Sequence, residues 1–474
     1  MKTLFRSKLI LLILLTGSWA SAQKTFTLKQ CVETGITNNL EVKQSDVLMQ
    51  TALINYKQAK ANRLPDVFGN LNHGINQGRS IDPFTNSYVN QNIGYGNYNL
   101  STGVTLYNGL QIKNFIKQNA LTLDAGKMDL QAVKDNLTLN IILAYVQVLT
   151  KSDLLTQSGN QVILSKQQVA RLEVLNKEGS IIPAQLYELK GQLANDELAV
   201  IENENGVEAS KLALAQLLNI PYNKEMLVER LPAEDYTMTY GANADSIYQT
   251  AVTKLAVIKA AELKKQSAEK AVQVAKGEFY PRIGLGGNLY TNYSSAARRD
   301  IFLNSTQSPS GDFINLNGSQ LPVITTKSNF NTEKISYSSQ FNNNYSTSLN
   351  LNIRIPILNA FRAKNNVALA KNDLRLTKYI AETAKIHLKQ SIEEAYFNMN
   401  AALRKYATLV QQVSDFTAAF KGAEVRYNEG VSTQVDYLIA KNNLDRANIN
   451  LITSRYDYIF QAKILDYYQN KLNL

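Results

Sequence analysis

The sequence has 474 residues, of which 45% are hydrophobic and 19% are charged, and its formal net charge is +11. This length can bury several ordinary cores, so the chain is not limited to one small domain. Lysine and arginine are scattered among acidic and amide residues, and no basic cluster with interleaved aromatic residues indicates nucleic-acid binding. The single cysteine, Cys31, excludes an internal disulfide and is expected to be a small buried apolar residue.

Residues 1–22 predict an export signal. The segment combines three cations, an apolar run at 9–15, and the small residues Ala20-Ser21-Ala22 before Gln23. The apolar run is too short to span a membrane. A lipid anchor is not expected, because the predicted cleavage point has no cysteine to carry it. Removal of the signal lowers the net charge from +11 to +8. No later run of about 18 apolar residues predicts a transmembrane helix, so membrane entry would require strands.

Recurring residues predict that the mature chain is an internal duplication. Two glycines, Gly179 and Gly430, interrupt long helical patterns and lie 251 residues apart. The same offset relates Asn108 to Asn359, Lys113-Asn114 to Lys364-Asn365, and Ala144-Tyr145 to Ala395-Tyr396. A helix–glycine–helix break that occurs twice predicts two sharp hairpins between long antiparallel helices. Either glycine taken alone is equally compatible with an ordinary helix C-cap.

Each predicted repeat contains a helix, a strand pair and a long helical hairpin. The first repeat covers 23–232 and the second covers 233–474. Leu64-Pro65 and Tyr280-Pro281 end the first helix of each repeat, because proline cannot continue a helix. The predicted boundaries are helices at 27–61 and 246–277, strand pairs at about 66–107 and 282–355, and hairpin tips near 176–183 and 427–434.

The strand pairs alternate apolar and polar residues with a period of two. The polar positions of the last strand are Asn350, Asn352 and Arg354, set between Leu349, Leu351, Ile353 and Ile355. Alternation over about nine to eleven residues suits a tilted strand that crosses a bilayer, with apolar residues toward lipid and polar residues toward a wet lumen. A half-buried strand of a soluble sheet would alternate in the same way. Four such strands on an exported chain favour the membrane interpretation.

The two strand pairs enclose segments of different length. The first encloses a short segment at 78–96, and the second encloses a Ser-, Asn- and Gly-rich segment at 293–344. The second repeat therefore carries an insertion of 35 residues. We expect this insertion to be an exposed loop, because insertions of such composition belong at a surface.

The longest helical patterns lie at 110–176 and 361–421, and each predicts a rod of roughly 90 Å. Apolar residues of the second pattern step by four and three in turn, which is the 3.5-residue period of a coiled-coil seam. The predicted seam consists of Ile392, Tyr396, Met399, Leu403, Tyr406, Val410 and Val413. Return helices at about 184–217 and 434–472 would complete the two hairpins.

Catalytic and cofactor motifs are absent from the sequence. The only histidines, His73 and His387, lie 314 residues apart and belong to no metal-binding or triad-like cluster. No Walker A or dinucleotide-binding motif occurs in a suitable context. We therefore predict a protein that is not an enzyme and that requires no metal and no cofactor.

Four strands are too few to close a barrel, which needs about eight. An open sheet edge is not tolerated in hydrocarbon, so several copies would have to share one barrel. Two copies would supply eight strands and three would supply twelve, and only the larger barrel would leave an appreciable pore.

With these features the chain resembles the TolC family of outer-membrane efflux and secretion channels. The resemblance covers nearly all of residues 24–474, and its local motif is Tyr427-x-x-Gly430 followed by Asp436. It implies an α+β membrane protein: a homotrimer in which each duplicated chain gives four transmembrane strands to one shared β-barrel in outer-membrane lipid. A long periplasmic α-helical coiled-coil tunnel would continue the barrel. Implied partners are a periplasmic adaptor protein and an inner-membrane RND-type or ABC transporter.

The resemblance also implies roles for single residues. Tyr427 resembles the tyrosine that helps to hold the tunnel tip closed, and Asp436 resembles the aspartate that rings the constriction. Gly179 and Gly430 resemble the glycines at the tip grooves where adaptor hairpins dock. Two positions depart from the family: Ser432 stands in place of a latch arginine, and Ile439 in place of a second aspartate. Asp436 is equally compatible with an ordinary acid at a helix N-terminus.

The sequence thus predicts a passive outer-membrane exit duct of a tripartite efflux pump or a type I secretion system. A non-conducting periplasmic coiled-coil scaffold or adhesin is the alternative, in which the alternating strands pack as a soluble sheet. A diffusion porin is not favoured, because its function does not require such long helices. Neither the cargo nor the partner transporter follows from the sequence.

Overall fold

The computed structural model describes residues 25–81, 86–90, 92–231 and 241–472. The first half contains, in chain order, β1 (Thr25–Phe26), α1 (Leu28–Asn38), α2 (Leu40–Ala61), β2 (Asp66–Asn76), β3 (Arg79–Ile81), β4 (Tyr88–Asn90), β5 (Ile93–Asn108), α3 (Gln111–Lys177), α4 (Pro183–Leu218) and β6 (Leu227–Val228). The second half contains α5 (Ala244–Lys254), α6 (Ala256–Lys276), β7 (Arg282–Ser294), β8 (Arg298–Leu316), β9 (Ser319–Lys334), α7 (Tyr337–Asn343), β10 (Ser346–Arg354), α8 (Arg362–Asn428) and α9 (Gln434–Tyr468). The predicted export signal at 1–22 and the predicted repeat boundary at 232 lie outside the described residues.

The chain forms two compact units, and each unit combines segments from both halves of the sequence. The helical unit comprises Met1–Asn55, Asn119–Ala268 and Asp373–Leu474. The strand unit comprises Tyr56–Gln118 and Glu269–Asn372. Contacts therefore join corresponding parts of the two halves, as is expected when duplicated sequences fold together.

Element boundaries recur with the offset that separates the two tip glycines. Helices α3 and α8 each span 67 residues, and their first residues, like their last residues, lie 251 positions apart. Directly before these helices, two residues adopt positive φ: Gly109 (66°) and Leu110 (62°) in the first half, Ala360 (51°) and Phe361 (59°) in the second. Both halves thus use the same left-handed strand-to-helix turn, although only one of its four residues is glycine.

The predicted single helix at 27–61 is two helices, α1 and α2, and the prediction of one continuous helix is wrong. The break lies at Asn39, whose backbone is extended. Its side-chain oxygen accepts hydrogen bonds from the amides of Glu41 (2.8 Å) and Val42 (3.3 Å), so Asn39 caps the start of α2. The helix predicted at 246–277 breaks in the same way at Leu255. Neither break has a proline or glycine to indicate it.

The core of the helical unit surrounds Tyr145 and Cys31, both fully buried. The Tyr145 hydroxyl donates to the carbonyl of Glu229 (2.6 Å) and lies 3.1 Å from the carbonyl of Phe26. It thereby holds together the short parallel strands β1 and β6. Burial raises the pKa of the Cys31 thiol to about 12, so the thiol is an unreactive core group, as predicted.

The predicted seam on α8 is partly correct. Its most buried apolar positions are Leu388, Ile392, Ala395, Met399 and Ala402, which keep the 3.5-residue period but place small alanines between the larger residues. Tyr396 and Leu403 pack at the margin of this core, and Val410 is 47% exposed, so the seam does not extend through it. Among the residues that the structure describes, no helix is both long and apolar enough to span a membrane.

Strands of both halves form one antiparallel sheet in the order β10–β7–β5–β2. The register places apolar residues of all four strands on one face, because side chains of directly paired residues share a face. These include Val67, Leu71, Leu100, Val104, Ile283, Leu285, Leu289, Leu349, Leu351 and Ile353. Within the described part of the chain, β2 and β10 are edges with one unpaired side each. The predicted alternation is therefore confirmed as two faces of different polarity.

The segment at 293–344 is largely exposed, as predicted, but it is not a loop, and that part of the prediction is wrong. It forms a long antiparallel hairpin of β8 and β9, followed by the short helix α7. Register shifts between Phe302 and Asn304 and between Pro309 and Phe313 interrupt its alternation, so the sequence lacks a sustained period of two. The shorter segment at 78–96 contains the small strands β3 and β4 and the first residues of β5.

Candidate functional site at the helical tips

Both tip glycines end a long helix with the same backbone motif. Gly179 has φ of 71° and Gly430 has φ of 73°, a left-handed conformation that glycine adopts at little cost. Each glycine amide donates to the carbonyl three residues earlier, at 3.1 Å and 3.2 Å, and the next amide donates to the carbonyl five residues earlier. This is the Schellman motif. A Cβ added at either glycine would meet no atom within 4 Å, so both glycines face open space.

The two return helices begin differently. Pro183 occupies the first turn of α4, and Ile182 before it provides no side-chain cap. At the start of α9, Thr433 and Asp436 form a capping box. The Asp436 amide donates to the Thr433 hydroxyl (3.2 Å), and the Asp436 carboxylate accepts from the Thr433 amide (3.1 Å) and hydroxyl (2.7 Å).

The Asp436 carboxylate is exposed and remains charged. The hydrogen bond from the Thr433 hydroxyl, reinforced by that from the Thr433 amide, lowers the pKa of Asp436 below its usual range. The structure thus assigns Asp436 a capping function, which the sequence left open beside the predicted role at a constriction. The two roles are compatible, because one oxygen atom of the carboxylate, Oδ2, makes both hydrogen bonds.

Tyr427 lies in an aromatic cluster of the second hairpin. Its ring stacks on Tyr437 with centroids 5.0 Å apart and an interplanar angle of 24°. Phe420 adds a third ring, whose centroid lies 5.6 Å from that of Tyr437. Burial raises the pKa of both tyrosines, so both hydroxyls are neutral at physiological pH. The cluster joins the last turns of α8 to the first turn of α9.

Arg171 contacts this tip, and sequence reasoning missed it. Arg171 lies on α3, in the first half of the chain, and its guanidinium donates to the backbone carbonyl of Asn428 at 2.7 Å and to the Asn428 side chain. The same guanidinium lies 5.8 Å from the Tyr427 ring centroid. Arg171 is 257 residues from Asn428, and no local pattern indicates the pair. It supplies an arginine at the tip although position 432 is serine.

Buried polar atoms at the second tip have no hydrogen-bond partner among the described residues. They are Ser432 Oγ, Gln434 Oε1 and the Tyr437 hydroxyl. Such atoms cost stability unless water or another chain satisfies them. The Gln434 side-chain nitrogen, in contrast, donates to the carbonyl of Gln185 at 2.9 Å and links α9 to α4. Ile439, which stands at the position of the second aspartate implied by the resemblance, is an exposed apolar residue.

A buried ionic cluster joins the two hairpins close to their tips. Lys441 on α9 is 1% exposed, and its ammonium lies 3.0 Å from Asp196 of α4 and 2.9 Å from Asp445. Ser165 of α3 donates to Asp196 at 2.5 Å, and Gln192 donates to its other oxygen at 2.9 Å. Every charge in the cluster is paired, which buried charges require. Three helices are thereby fixed to one another.

The predicted lumen-facing residues form a row in the strand unit. Asn350 pairs with Gly286, Asn352 with Gly284, and all lie on the face opposite the apolar one. Gly286 pairs in turn with Gly103, so glycines leave the asparagines without bulky neighbours on this face. Arg354 pairs with Arg282 at the end of the same face. These residues and the tip residues belong to different compact units.

The described residues contain no group of three or more His, Cys, Asp or Glu side chains arranged to hold a metal ion. The titratable groups of the second tip include an exposed carboxylate in a capping box, Asp436, and a tyrosine that burial keeps neutral, Tyr437. An exposed carboxylate such as that of Asp436 can attract cations.

Known proteins resemble this chain over most of its length. The family model of the outer membrane efflux proteins matches residues 316–465. The outer membrane protein TolC of Vibrio cholerae is 25% identical over 388 residues, which cover 77% of this chain and 75% of that protein. An uncharacterized protein of Haemophilus influenzae is 20% identical over 454 residues, which cover 93% of this chain and 86% of that protein.

Solved outer-membrane channels share the fold. The outer membrane protein VceC of Vibrio cholerae has a TM-score of 0.74 at 15% identity, covering 94% of this chain and 95% of that chain. The CmeC outer membrane channel of Campylobacter jejuni has a TM-score of 0.68 at 16% identity, covering 94% of this chain and 86% of that chain. The family match confirms the predicted location in the outer membrane with an extension into the periplasm. Together, the family match over residues 316–465 and the likeness to TolC of Vibrio cholerae confirm the predicted resemblance of this chain to the TolC-like outer membrane efflux proteins.

Proposed function

We propose that three copies of this chain form a passive exit duct through the outer membrane, serving a tripartite efflux pump or a type I secretion system. The observation that carries the proposal is the four-stranded sheet with one apolar face, one polar face and two open edges. Hydrocarbon does not tolerate open edges, so strands of other copies have to complete the sheet. Three copies supply twelve strands, which can enclose an aqueous channel.

In this proposal the polar strand face lines the lumen. Asn350, Asn352 and Arg354 would offer hydrogen-bonding groups to water and to passing cargo, and the glycines beside them would keep the passage wide. The apolar face, with Leu351 and its neighbours, would contact lipid. The duct would take small molecules or polypeptides from an inner-membrane RND-type or ABC transporter, which supplies the energy.

The helical tips would form the periplasmic constriction and the docking surface. Tyr427 and Asp436 would narrow the opening, and Arg171 would hold the end of α8 in place. Adaptor hairpins would seat in the grooves at Gly179 and Gly430, where an added Cβ meets open space. The unpaired polar atoms at Ser432 and Tyr437 support a contact with another chain at this tip, because burial without a partner is costly.

Assembly and conduction test the proposal directly. Purification should require detergent, mass measurement should give three chains per particle, and the particles should conduct ions in planar bilayers. A monomer that conducts would contradict the trimer. A protein that stays in aqueous solution without detergent and does not conduct would support the coiled-coil scaffold or adhesin instead.

A matched pair of substitutions tests the assignment of the two strand faces. Leu351→Arg places a charge on the apolar face, where a cation costs about 2–4 kcal/mol at the bilayer midplane. Asn350→Arg places the same charge one residue away on the polar face. Insertion into the outer membrane should fail for Leu351→Arg and survive for Asn350→Arg. Equal insertion of the two variants would show that the apolar face does not contact lipid.

A further inference from the structure

The helix α7 covers one end of the apolar sheet face. Its Tyr337 hydroxyl donates to the Tyr98 hydroxyl at 3.0 Å, and its Phe341 ring lies 5.9 Å from the Tyr98 ring. The Thr291 hydroxyl donates to the Phe341 carbonyl at 2.8 Å. Tyr98 and Thr291 are paired in register and share the face that carries Leu71 and Leu289. This end of the apolar face therefore lies against a helix.

Aromatic side chains of this helical segment are partly exposed. Tyr337 is 47% exposed, Phe341 43% and Tyr345 53%, although each is large and apolar over most of its surface. Aromatic residues at the end of a lipid-facing strand set are typical of the boundary between hydrocarbon and headgroups. The α7 segment thus has the composition of a membrane-interface element.

Two cations face each other at the base of the inserted hairpin. Arg298 of β8 and Lys334 of β9 are directly paired in register, and both are exposed. Within the described residues neither has an acidic partner within 4.0 Å, whereas the adjacent Arg299 lies 3.4 Å from Glu333. Asp300, the next acid along β8, accepts a hydrogen bond from Thr332 at 2.6 Å. Like charges directly opposite each other destabilise a strand pair unless an anion lies between them.

The cation pair adjoins the aromatic segment. The Ile335 amide donates to the Ala297 carbonyl at 3.2 Å, which extends the hairpin toward the sheet, and α7 begins three residues after Lys334. Both features belong to the strand unit. Positive charge beside an aromatic boundary complements a headgroup with an anionic phosphate.

We propose that Arg298 and Lys334 bind the phosphate group of a lipid in the outer leaflet, while Tyr337 and Phe341 contact its acyl chains. The inference rests on the proposed function, because it requires the apolar sheet face to contact lipid. The phosphate would neutralise the repulsion between the two cations. Free phosphate offers the same headgroup chemistry without the acyl chains, and the experiment separates the two.

Native mass spectrometry of the detergent-solubilised protein tests the site. The probes are diphosphorylated lipid A and, as a zwitterionic comparison, phosphatidylcholine. Lipid A should bind about tenfold more tightly than phosphatidylcholine, and R298Q or K334Q should each weaken lipid A binding by about tenfold through loss of one charge-assisted contact. The control is K327Q, which removes an equal charge from the same hairpin, opposite Thr306. Its lipid A binding should stay within twofold of the wild type.

Each remaining outcome contradicts the site. Equal weakening in K327Q would indicate general charge attraction, and unchanged binding in R298Q and K334Q would place the lipid elsewhere. Displacement of lipid A by inorganic phosphate at tens of millimolar would indicate a phosphate site that does not select lipid. R298Q should leave thermal stability unchanged or raised, because it removes like-charge repulsion. Trimer mass and conductance are measured first, so a failure of the proposed duct is recognised independently of lipid binding.

Discussion

The two helical tips have the same backbone and different side chains. Gly179 and Gly430 end their helices in the same Schellman motif, with φ of 71° and 73°. The return helix of the first tip begins at Pro183 without a side-chain cap, whereas that of the second begins with the capping box of Thr433 and Asp436. Duplication has preserved the turn, and divergence has changed the residues that the turn presents.

In the proposed duct, this difference between the tips would assign support to the first hairpin and gating to the second. The second tip carries the aromatic stack of Tyr427 on Tyr437 and the exposed carboxylate of Asp436. The first hairpin contributes Arg171 and Asp196, whose contacts reach across to α8 and α9. In the proposed duct, the second tip would narrow the passage and the first hairpin would hold it in position.

The largest expected effect tests what the two tips have in common. Gly430→Leu and Gly179→Leu each place a bulky side chain in a left-handed residue that faces open space. The local cost is about 1–2 kcal/mol, so trimers should still form. Export should be lost, because adaptor hairpins can no longer seat in the groove. Export is measured by cargo accumulation in cells that carry normal amounts of membrane trimer.

Two controls separate docking from backbone strain. Gly430→Ala imposes the same left-handed strain with little bulk, and Gly422→Leu places equal bulk on α8, where an added Cβ also meets no atom within 4 Å. Both should export normally. Loss of export in Gly430→Ala would reduce the glycine to a helix cap, and loss of the trimer in Gly430→Leu would assign it to the fold.

The second prediction concerns the ionic cluster that ties the hairpins together. Lys441→Met leaves Asp196 and Asp445 without their buried cation, and breaking such a pair costs about 3–5 kcal/mol. Thermal unfolding followed by helical circular dichroism should shift strongly to lower temperature. The matched control is Lys166→Met, which breaks an exposed pair of 3.0 Å with Glu197 and should cost at most about 1 kcal/mol. Equal shifts would show that the cluster does not join the hairpins.

The third prediction sharpens the division between support and gate. Arg171→Met removes the charged hydrogen bonds to Asn428 but keeps side-chain length. Hydrogen bonds to a charged group contribute about 1.5–3 kcal/mol to stability when they are shielded from solvent. We expect about 1 kcal/mol here, because solvent screens the charge at this exposed position. The population of the closed tip relative to the open tip should therefore fall roughly fivefold. Conductance in planar bilayers should rise as a result.

A double-mutant cycle assigns this effect to one contact. Asn428→Ala alone should raise conductance less than Arg171→Met does. The conductance of the double variant, Arg171→Met with Asn428→Ala, should be only slightly higher than that of Arg171→Met alone. Additive effects of the two substitutions would mean that Arg171 acts on the tip through other residues.

Local patterns predicted the tips and the sheet faces, but not the contacts between the halves. Glycines that interrupt long helical periods indicated both turns, and period-two alternation indicated which side of each strand is apolar. The contacts of Arg171 with Asn428 and of Lys441 with Asp196 escaped prediction because the residues they join lie 257 and 245 positions apart. Nothing in the neighbouring sequence distinguishes a lysine that is buried from one that is solvated.

The inserted hairpin was missed for a different reason. Strands β8 and β9 are polar on both faces over most of their length and contain register shifts, so their sequence has the composition of a loop. The break at Asn39 was missed because an asparagine side chain, rather than a proline or glycine, ends one helix and caps the next. Both errors arise where backbone hydrogen bonding decides the structure and hydrophobic periodicity is weak.

The smallest predicted effect concerns Asp436, the residue for which capping and gating compete. Its hydrogen bond with the Thr433 hydroxyl depresses its pKa, so its carboxylate stabilises the tip above its unfolded pKa and loses this contribution as pH falls through the folded value. Asp436→Asn should therefore be slightly less stable than the wild type at neutral pH and equal to it in acid. If the carboxylates lie near a shared axis, the same variant should also lower cation selectivity by roughly twofold in planar bilayers.

Thr433→Ala distinguishes the two roles of Asp436. It removes the hydroxyl that completes the capping box but leaves the carboxylate charge in place. Cation selectivity should fall in Asp436→Asn and stay unchanged in Thr433→Ala, because selectivity depends on charge at the opening and not on the cap. If both variants reduce selectivity equally, the effect comes from a loosened start of α9. If neither does, Asp436 acts only as a cap, and charge at the opening does not distinguish the second tip from the first.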